Sequence, residues 1–259
     1  MKMKRCKLLL IVLSFLLLIV GCDNSTEPED CAGVAGGSAL EDICGICDGD
    51  GSTCFVTDID GNIYSTVKIG GQIWMAENLK ITKYKEGSEI STGYSGNDWS
   101  QLSTGAYAVY DDSINAEMYG NLYNWYHVDN NRPDRSVLCM EGWSVPTDDE
   151  WQTLTDYLGG VSVAGGKMKS TGTIEGGDGL WDSPNEGATN VSSFSGLPTG
   201  IRLAFNGDYM HKGEYGYFWS SSEKNNSEAW HWGLSSWNNE AILYYFDKKG
   251  GFSIRCLKD

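Results

Sequence analysis

Basic residues are scarce in this chain: 19 Lys and Arg stand against 35 Asp and Glu, a formal net charge of −16 over 259 residues. No basic stripe is available to neutralise phosphates, so a nucleic-acid partner is disfavoured. Adhesion to an anionic surface through charge is disfavoured for the same reason. Histidine is rarer still: His127, His211 and His231 are the only three, with no compact ligand spacing for a zinc site. A serine elbow, a zincin motif and a phosphate-binding loop are all missing. A glycosidase needs only two acids at the correct separation, which no motif marks, so that class stays open. Long apolar runs are missing too. Leu8 to Val20, broken only by Ser14, is thirteen residues, too short to cross a bilayer as a helix.

That run follows Lys2, Lys4, Arg5 and Lys7 and ends at Ile19-Val20-Gly21-Cys22. Basic, apolar and small-residue parts in this order read as a secretory signal. The Gly21-Cys22 junction resembles the lipobox of bacterial lipoproteins. The resemblance implies that residues 1–21 are a signal peptide and that Cys22 carries lipid, palmitate among its acyl chains. Each buried methylene contributes about 0.8 kcal/mol, so two or three chains anchor stably where one is marginal. The implied location is the bacterial cell envelope, lipid-anchored at the outer membrane or cell surface. Cleavage before Cys22 removes four basic residues and no acid, and takes the charge from −16 to −20.

Residues 22–30 follow the junction as an acidic tether, Asp-Asn-Ser-Thr-Glu-Pro-Glu-Asp after Cys22, with no apolar side chain beyond proline. Residues 31–54 form a cysteine-rich spacer. Its larger apolar side chains are only Val34, Leu40, Ile43 and Ile46, so it needs covalent or metal staples to fold. Export favours two disulfides among Cys31, Cys44, Cys47 and Cys54, with three pairings open. Zinc is the alternative, but only Cys44 and Cys47 have the two-residue spacing typical of such sites. Asp42, Asp48 and Asp50 are calcium candidates, with turn formation on a solvated module as the competing role.

Residues 55–259 are the main domain and hold all ten tryptophans and all fourteen tyrosines. Many aromatics among many glycines, without a collagen-like period, predict an irregular α+β fold with short strands and long loops. The Asp60-Gly61 pair predicts a hairpin between Val56-Thr57-Asp58 and Ile63–Ile69, followed by a strand at Gln72–Met75. Asp58, Asp60 and Asn62 mimic a calcium loop, but the twelfth position is Ile69, so they read as turn residues. Thr147-Asp148-Asp149-Glu150 predicts a capping box, and Trp151, Leu154 and Leu158 give the helix a core-facing stripe up to Gly159-Gly160. Gly120 to Val128 is a second helical candidate. Four segments near the end read as strands: Tyr217–Ser220, Glu228–Leu234, Ala241–Phe246 and Gly251–Cys256. Cys139 and Cys256 are the only cysteines here, and their parity argues for one disulfide closing a long loop.

Several ordered motifs carry a family resemblance. They are Ile69-Gly70-Gly71-Gln72-Ile73-Trp74-Met75-Ala76-Glu77-Asn78-Leu79 and Tyr119-Gly120-Asn121-Leu122-Tyr123-Asn124-Trp125-Tyr126. Cys139 to Trp151, Tyr217-Phe218-Trp219-Ser220-Ser221-Ser222 and Ser253-Ile254-Arg255-Cys256 complete the set. Together they resemble the Fibrobacter succinogenes major paralogous domain over about residues 58–259, with Met140 where that family usually has proline. The resemblance implies a fold related to C-type lectins and to the formylglycine-generating enzyme group: two helices against short, twisted antiparallel sheets. It implies exported or surface-attached proteins, often lipoproteins, and no particular activity.

Three functions compete at this level. A non-catalytic binding domain for glycan or polysaccharide is favoured by flat aromatic faces beside short polar groups. Its candidates are Trp230, Trp232, Trp237, Asn238, Asn239 and Glu240, with Trp99 in Gly96-Asn97-Asp98-Trp99-Ser100 as a second exposed residue. Trp230 and Trp232 share one strand face, which is also what a core stripe looks like. The Glu-Pro-Asn, Gln-Pro-Asp and Trp-Asn-Asp signatures of calcium-dependent lectins are missing, and Trp237-Asn238-Asn239 is a partial echo of the last. A structural or adhesion role with envelope proteins is the second function. An enzyme, glycosidase-like or oxidase-like, is the third; the paired C-terminal cysteines of copper-dependent oxidase relatives are reduced here to Cys256.

Overall fold

The hairpin expected around Asp60-Gly61 opens the main domain in the computed structural model of the chain. The structure describes residues 27–51, 54–110, 113–128 and 138–259, together with the backbone of Lys7–Leu8 and Val20–Gly21, which pair antiparallel. The rest of the expected signal peptide, and Cys22, the expected lipid attachment point, lie outside the described residues. The chain divides into two units, residues 1–50 and 51–259.

In the second unit the elements begin with β1 (Phe55–Thr57), β2 (Ile63–Ile69) and β3 (Gln72–Met75). Next come α1 (Gly96–Ser100), β4 (Tyr107–Ala108), α2 (Ser113–Tyr119), β5 (Leu122–Tyr123) and β6 (Trp143–Ser144). Helices α3 (Asp148–Tyr157) and α4 (Val161–Met168) precede β7 (Ile201–Arg202) and β8 (Tyr209–Met210). Three long strands follow, β9 (Tyr215–Glu223), β10 (Glu228–Ser235) and β11 (Ala241–Asp247), and β12 (Leu257–Lys258) ends the chain. A five-stranded sheet runs in the order β1-β2-β3-β12-β6, so the first and last strands of the unit share one sheet. A separate antiparallel sheet runs β9-β10-β11.

This is a mixed α+β fold, with four α-helices among the described residues where two were expected. Of the helices that the local pattern did not announce, α1, α2 and α4, the last carries the Gly165-Gly166 pair, which lowers helix propensity and reads as loop. The Gly120–Val128 candidate is corrected. Gly120 takes a φ of +75°, Leu122 and Tyr123 pair with β4, and a 3₁₀ turn follows at Trp125–His127. Tertiary partners override the local pattern: the Trp125 amide donates to the Lys248 carbonyl at 2.8 Å. Gly251–Cys256 is also not one strand. Its residues bridge to Arg202, Tyr123 and Phe218 in turn, stitching three elements instead of extending one sheet.

The predicted capping box is present. Thr147 Oγ1 accepts from the Glu150 amide at 3.3 Å, and Glu150 Oε2 accepts from the Thr147 amide at 2.7 Å. Thus capped, α3 points Trp151 into an aromatic core. Its ring lies 4.8 Å from Trp74, 5.9 Å from Phe194 and 6.2 Å from Trp232. The turn acids are local as well: Asp58 accepts from the Asn62 amide at 2.9 Å and from the Tyr64 hydroxyl at 2.6 Å. Arg255 is wholly buried among amide oxygens. Nε donates to Asn78 Oδ1 at 2.5 Å, Nη1 to the Met75 and Phe194 carbonyls at 3.1 and 2.5 Å, and Nη2 to the Ser195 carbonyl at 2.9 Å. Burial pulls its pKa down to about 9. Cys139 and Cys256 are bridged across a sequence separation of 117 residues. Closing a loop of that order stabilises by about 4–5 kcal/mol in the chain-entropy view.

Within the first unit the described residues form two copies of one turn, offset by twelve residues. In the first, the Asp30 amide donates to the Val34 carbonyl, Gly33 to Asp30 and Gly36 to Pro28; in the second, Asp42 donates to Ile46, Gly45 to Asp42 and Asp48 to Leu40. Each copy is organised by its leading aspartate: Asp30 Oδ1 accepts from Ala32 and Val34, and Asp42 Oδ1 from Cys44 and Ile46. Cys31 and Cys47 are bridged, and Cys44 and Cys54 are each disulfide-bonded. Asp42 and Asp48, weighed above for calcium, hold turns here, Asp48 at a φ of +53°.

Candidate functional site

Strand alternation gives the β9-β10-β11 sheet two chemically different faces. Cross-strand partners place Phe218, Trp232 and Leu243 on one face and Trp219, His231 and Tyr244 on the other. The first face packs in the aromatic core beneath α3 and α4. The second forms the floor of an open cavity of about 560 Å³, within the range of small-ligand sites. Gly233 sits between Tyr217 and Ile242 in the register, and the Tyr217 ring packs over it, 3.5 Å from where a Cβ would stand.

The floor is aromatic. The Tyr215 and Tyr217 rings lie 5.5 Å apart and 5° from parallel, and Phe252 continues the stack 5.2 Å from Tyr217. Tyr244 and Trp237 are the exposed walls, at 55 and 58 % of their free surface. Asn238, Glu240 and His211 add polar groups. His211 holds a φ of +66°, with Nδ1 3.0 Å from Glu214 Oε2.

The Ser235–Glu240 loop that carries Trp237 is fixed from beneath. Lys169 is buried, and its Nζ donates to the carbonyls of Ser235, Asn238 and Glu186 at 2.7, 2.9 and 2.8 Å. Burial lowers this lysine to about 8, partly offset by the Glu186 carboxylate. The same loop presses on α4: a Cβ at Gly165 would stand 2.1 Å from the Glu240 carbonyl oxygen, so only glycine admits it. Gly165 therefore serves the groove rim at the expense of helix propensity, while Gly166 makes room for the Gly187 carbonyl.

His231 lies in the floor at 4 % exposure. Rings surround it: Phe252 at 4.6 Å, Tyr217 at 5.5 Å, Trp219 at 6.1 Å and Tyr244 at 6.3 Å. Burial holds its pKa down to about 4, partly offset by the Trp232 backbone beside the ring, so the imidazole is neutral at physiological pH. Its Nδ1 has no hydrogen-bond partner among the described residues. A buried polar atom left unpaired costs about 1–3 kcal/mol.

Of the residues singled out from sequence, the structure brings Trp237, Asn238 and Glu240 to this groove. Asn239 is not among the lining residues; its carbonyl accepts from the Gly166 amide at 3.1 Å. Trp230 and Trp232 are corrected, since both lie on the opposite face. Trp232 is core, and Trp230 is half-buried against Tyr245 and Lys224. Trp99, expected to be exposed, is wholly buried. Ser95 caps α1 by accepting from the Asp98 amide, and the helix turns Trp99 inward beneath the Arg202 guanidinium, 4.2 Å from its ring. Tyr215, Tyr217, His211, His231 and Tyr244 escaped sequence reasoning. Their alternation in Tyr215-Gly216-Tyr217 and Ile242–Phe246 was visible, but which face would open depends on strand register.

No three-histidine group assembles among the described residues. The metal-capable group that does come together there centres on Asp42 and Cys44. Cys44 is in a disulfide, which removes the thiolate a soft metal requires. Nothing in the group specifies calcium.

Residues 67–258 match the family model described as the Fibrobacter succinogenes major domain. The matched span contains every residue of the groove. No curated protein and no solved structure matches the chain at a significant level.

Proposed function

The chain belongs to the Fibrobacter succinogenes major domain family, and from that premise we propose that it is a lipid-anchored envelope protein displaying a non-catalytic glycan-binding groove. One observation carries the glycan reading. An open cavity of about 560 Å³ has stacked tyrosines on its floor, Trp237 and Tyr244 exposed on its walls, and short polar groups between them. Aromatic faces receive the apolar faces of sugar rings, and Asn238, Glu240 and His211 suit hydroxyl groups. Glu240 is the single carboxylate among the described lining residues, too few for the six to eight oxygens calcium takes, so binding is proposed to be calcium-independent.

The anchor reading rests on the basic start, the thirteen-residue apolar run and the Gly21-Cys22 junction. No helix of the described residues is long and apolar enough to cross a membrane. Electrophoresis of the purified protein through polysaccharide-containing gels tests the groove: retardation by at least one polysaccharide is expected, unchanged by EDTA. Mobility identical in every gel would sink it. The anchor is tested separately by labelled-palmitate incorporation in a bacterial host, which Cys22→Ala should abolish.

A further inference from the structure

The groove lining has a pronounced charge bias. Among the described residues Glu240 is its one carboxylate, Glu214 stands behind His211, and no lysine or arginine lines it. A uronate, sulfate or phosphate polymer would enter beside these acids with no cation to receive it. The floor has a second feature that its apolar packing does not explain. His231 sits among four aromatic rings, and its Nδ1, itself closed off from solvent, finds no partner among the described residues although the residue lines the cavity. A neutral imidazole has one nitrogen that donates and one that accepts, so either tautomer can pair with a hydroxyl. Gly233, next but one along β10, brings no side chain of its own, and the Tyr217 ring packs over it.

We infer that the groove takes an uncharged polysaccharide segment and that His231 Nδ1 hydrogen-bonds one of its hydroxyl groups at the floor. This rests on the glycan reading and adds to it the class of polymer and the atom that reads it. Tyr215, Tyr217 and Tyr244 supply area to any sugar ring, whereas His231 supplies direction. The bound ring must therefore turn one hydroxyl downward, and the tyrosine faces must part to uncover the buried Nδ1. Glu214 and Glu240 then act as a filter against acidic polymers.

The test uses the purified protein and His231→Phe in gels containing mixed-linkage glucan, xylan, galactomannan, alginate or pectate. The wild type should be retarded by at least one of the three neutral polymers and by neither acidic one. His231→Phe should weaken the apparent affinity for that neutral polymer about tenfold, the size of one hydrogen bond. Near-UV circular dichroism checks that the variant keeps its packing. Should it not fold, nitrogen-15 NMR of histidine-labelled wild type replaces it. Saturating oligosaccharide cut from the retarding polymer should move the His231 Nδ1 resonance and leave that of His127 in place. Equal retardation of His231→Phe, or an unmoved Nδ1 resonance at saturation, overturns the role of His231 and leaves the groove standing. Retardation by alginate or pectate overturns the charge class. Absence of retardation in every gel overturns the glycan reading itself.

Discussion

The two faces of the β9-β10-β11 sheet are built from alternate residues of the same strands, yet they have opposite fates. Phe218, Trp232 and Leu234 are buried beneath α3 and α4, while Tyr217, Gly233 and Tyr244 face the cavity. The segments that carry the family resemblance fall unevenly between these faces. Trp74, Asn78, Trp151, Phe218 and Arg255 are buried in the packing, and of all those segments only Tyr217 lines the groove. The motifs thus describe a scaffold. The groove proposed to hold the ligand is lined mainly by residues outside them, on β11, on the Ser235–Glu240 loop and at His211 and His231. Members that share the motifs need not share a ligand.

The sharpest break in this comparison is Trp232→Ala on the packed face. Deleting a buried tryptophan typically costs about 3–5 kcal/mol, and urea unfolding should show a loss of that order. Removing the bridge with Cys139→Ala and Cys256→Ala should cost roughly 2–5 kcal/mol, read the same way, because the closed loop spans over a hundred residues.

His231 offers a pH test of the open face. Its folded pKa is about 4 against an ordinary value of 6.5. The unfolded chain therefore takes up the proton first as pH falls. The stability His231 confers as a neutral group is complete above about pH 6.5 and is lost progressively down to about pH 4. The loss approaches about 3 kcal/mol at 1.36 kcal/mol per pKa unit. Urea midpoints measured across this window should decline, and His231→Phe should remove that component of the decline. An identical slope in the variant would show that His231 is not the group responsible.

Much of the scaffold was legible in sequence because its signals are local. Thr147 and Glu150 specify a cap, Asp60-Gly61 specifies a turn, and the parity of Cys139 and Cys256 in a chain expected to be exported specifies a bridge. The groove was legible only in part. Trp237 lies in a turn whose residues announce it, so its exposure followed. Tyr215, Tyr217, His231 and Tyr244 meet only once three strands adopt one register, and a one-residue slip would have exposed Trp232 instead. Trp99 misled for a related reason: Gly96, Asn97 and Asp98 look like a surface turn, but the Ser95 cap converts them into a helical turn that carries the indole inward. Helix α4 was hidden by a glycine pair whose purpose, admitting the Glu240 backbone at Gly165 and the Gly187 backbone at Gly166, is purely tertiary.

The smallest expected effect on stability is also the most direct test of the open face. Trp237→Ala combined with Tyr244→Ala removes two exposed rings, so the urea midpoint should stay within about 0.5 kcal/mol per substitution of the parent value. Affinity electrophoresis of the same protein, in whichever neutral polysaccharide retards the wild type, should show apparent affinity reduced by at least about tenfold. Undiminished retardation of this stable double variant would contradict the assignment of ligand binding to the open face of the sheet.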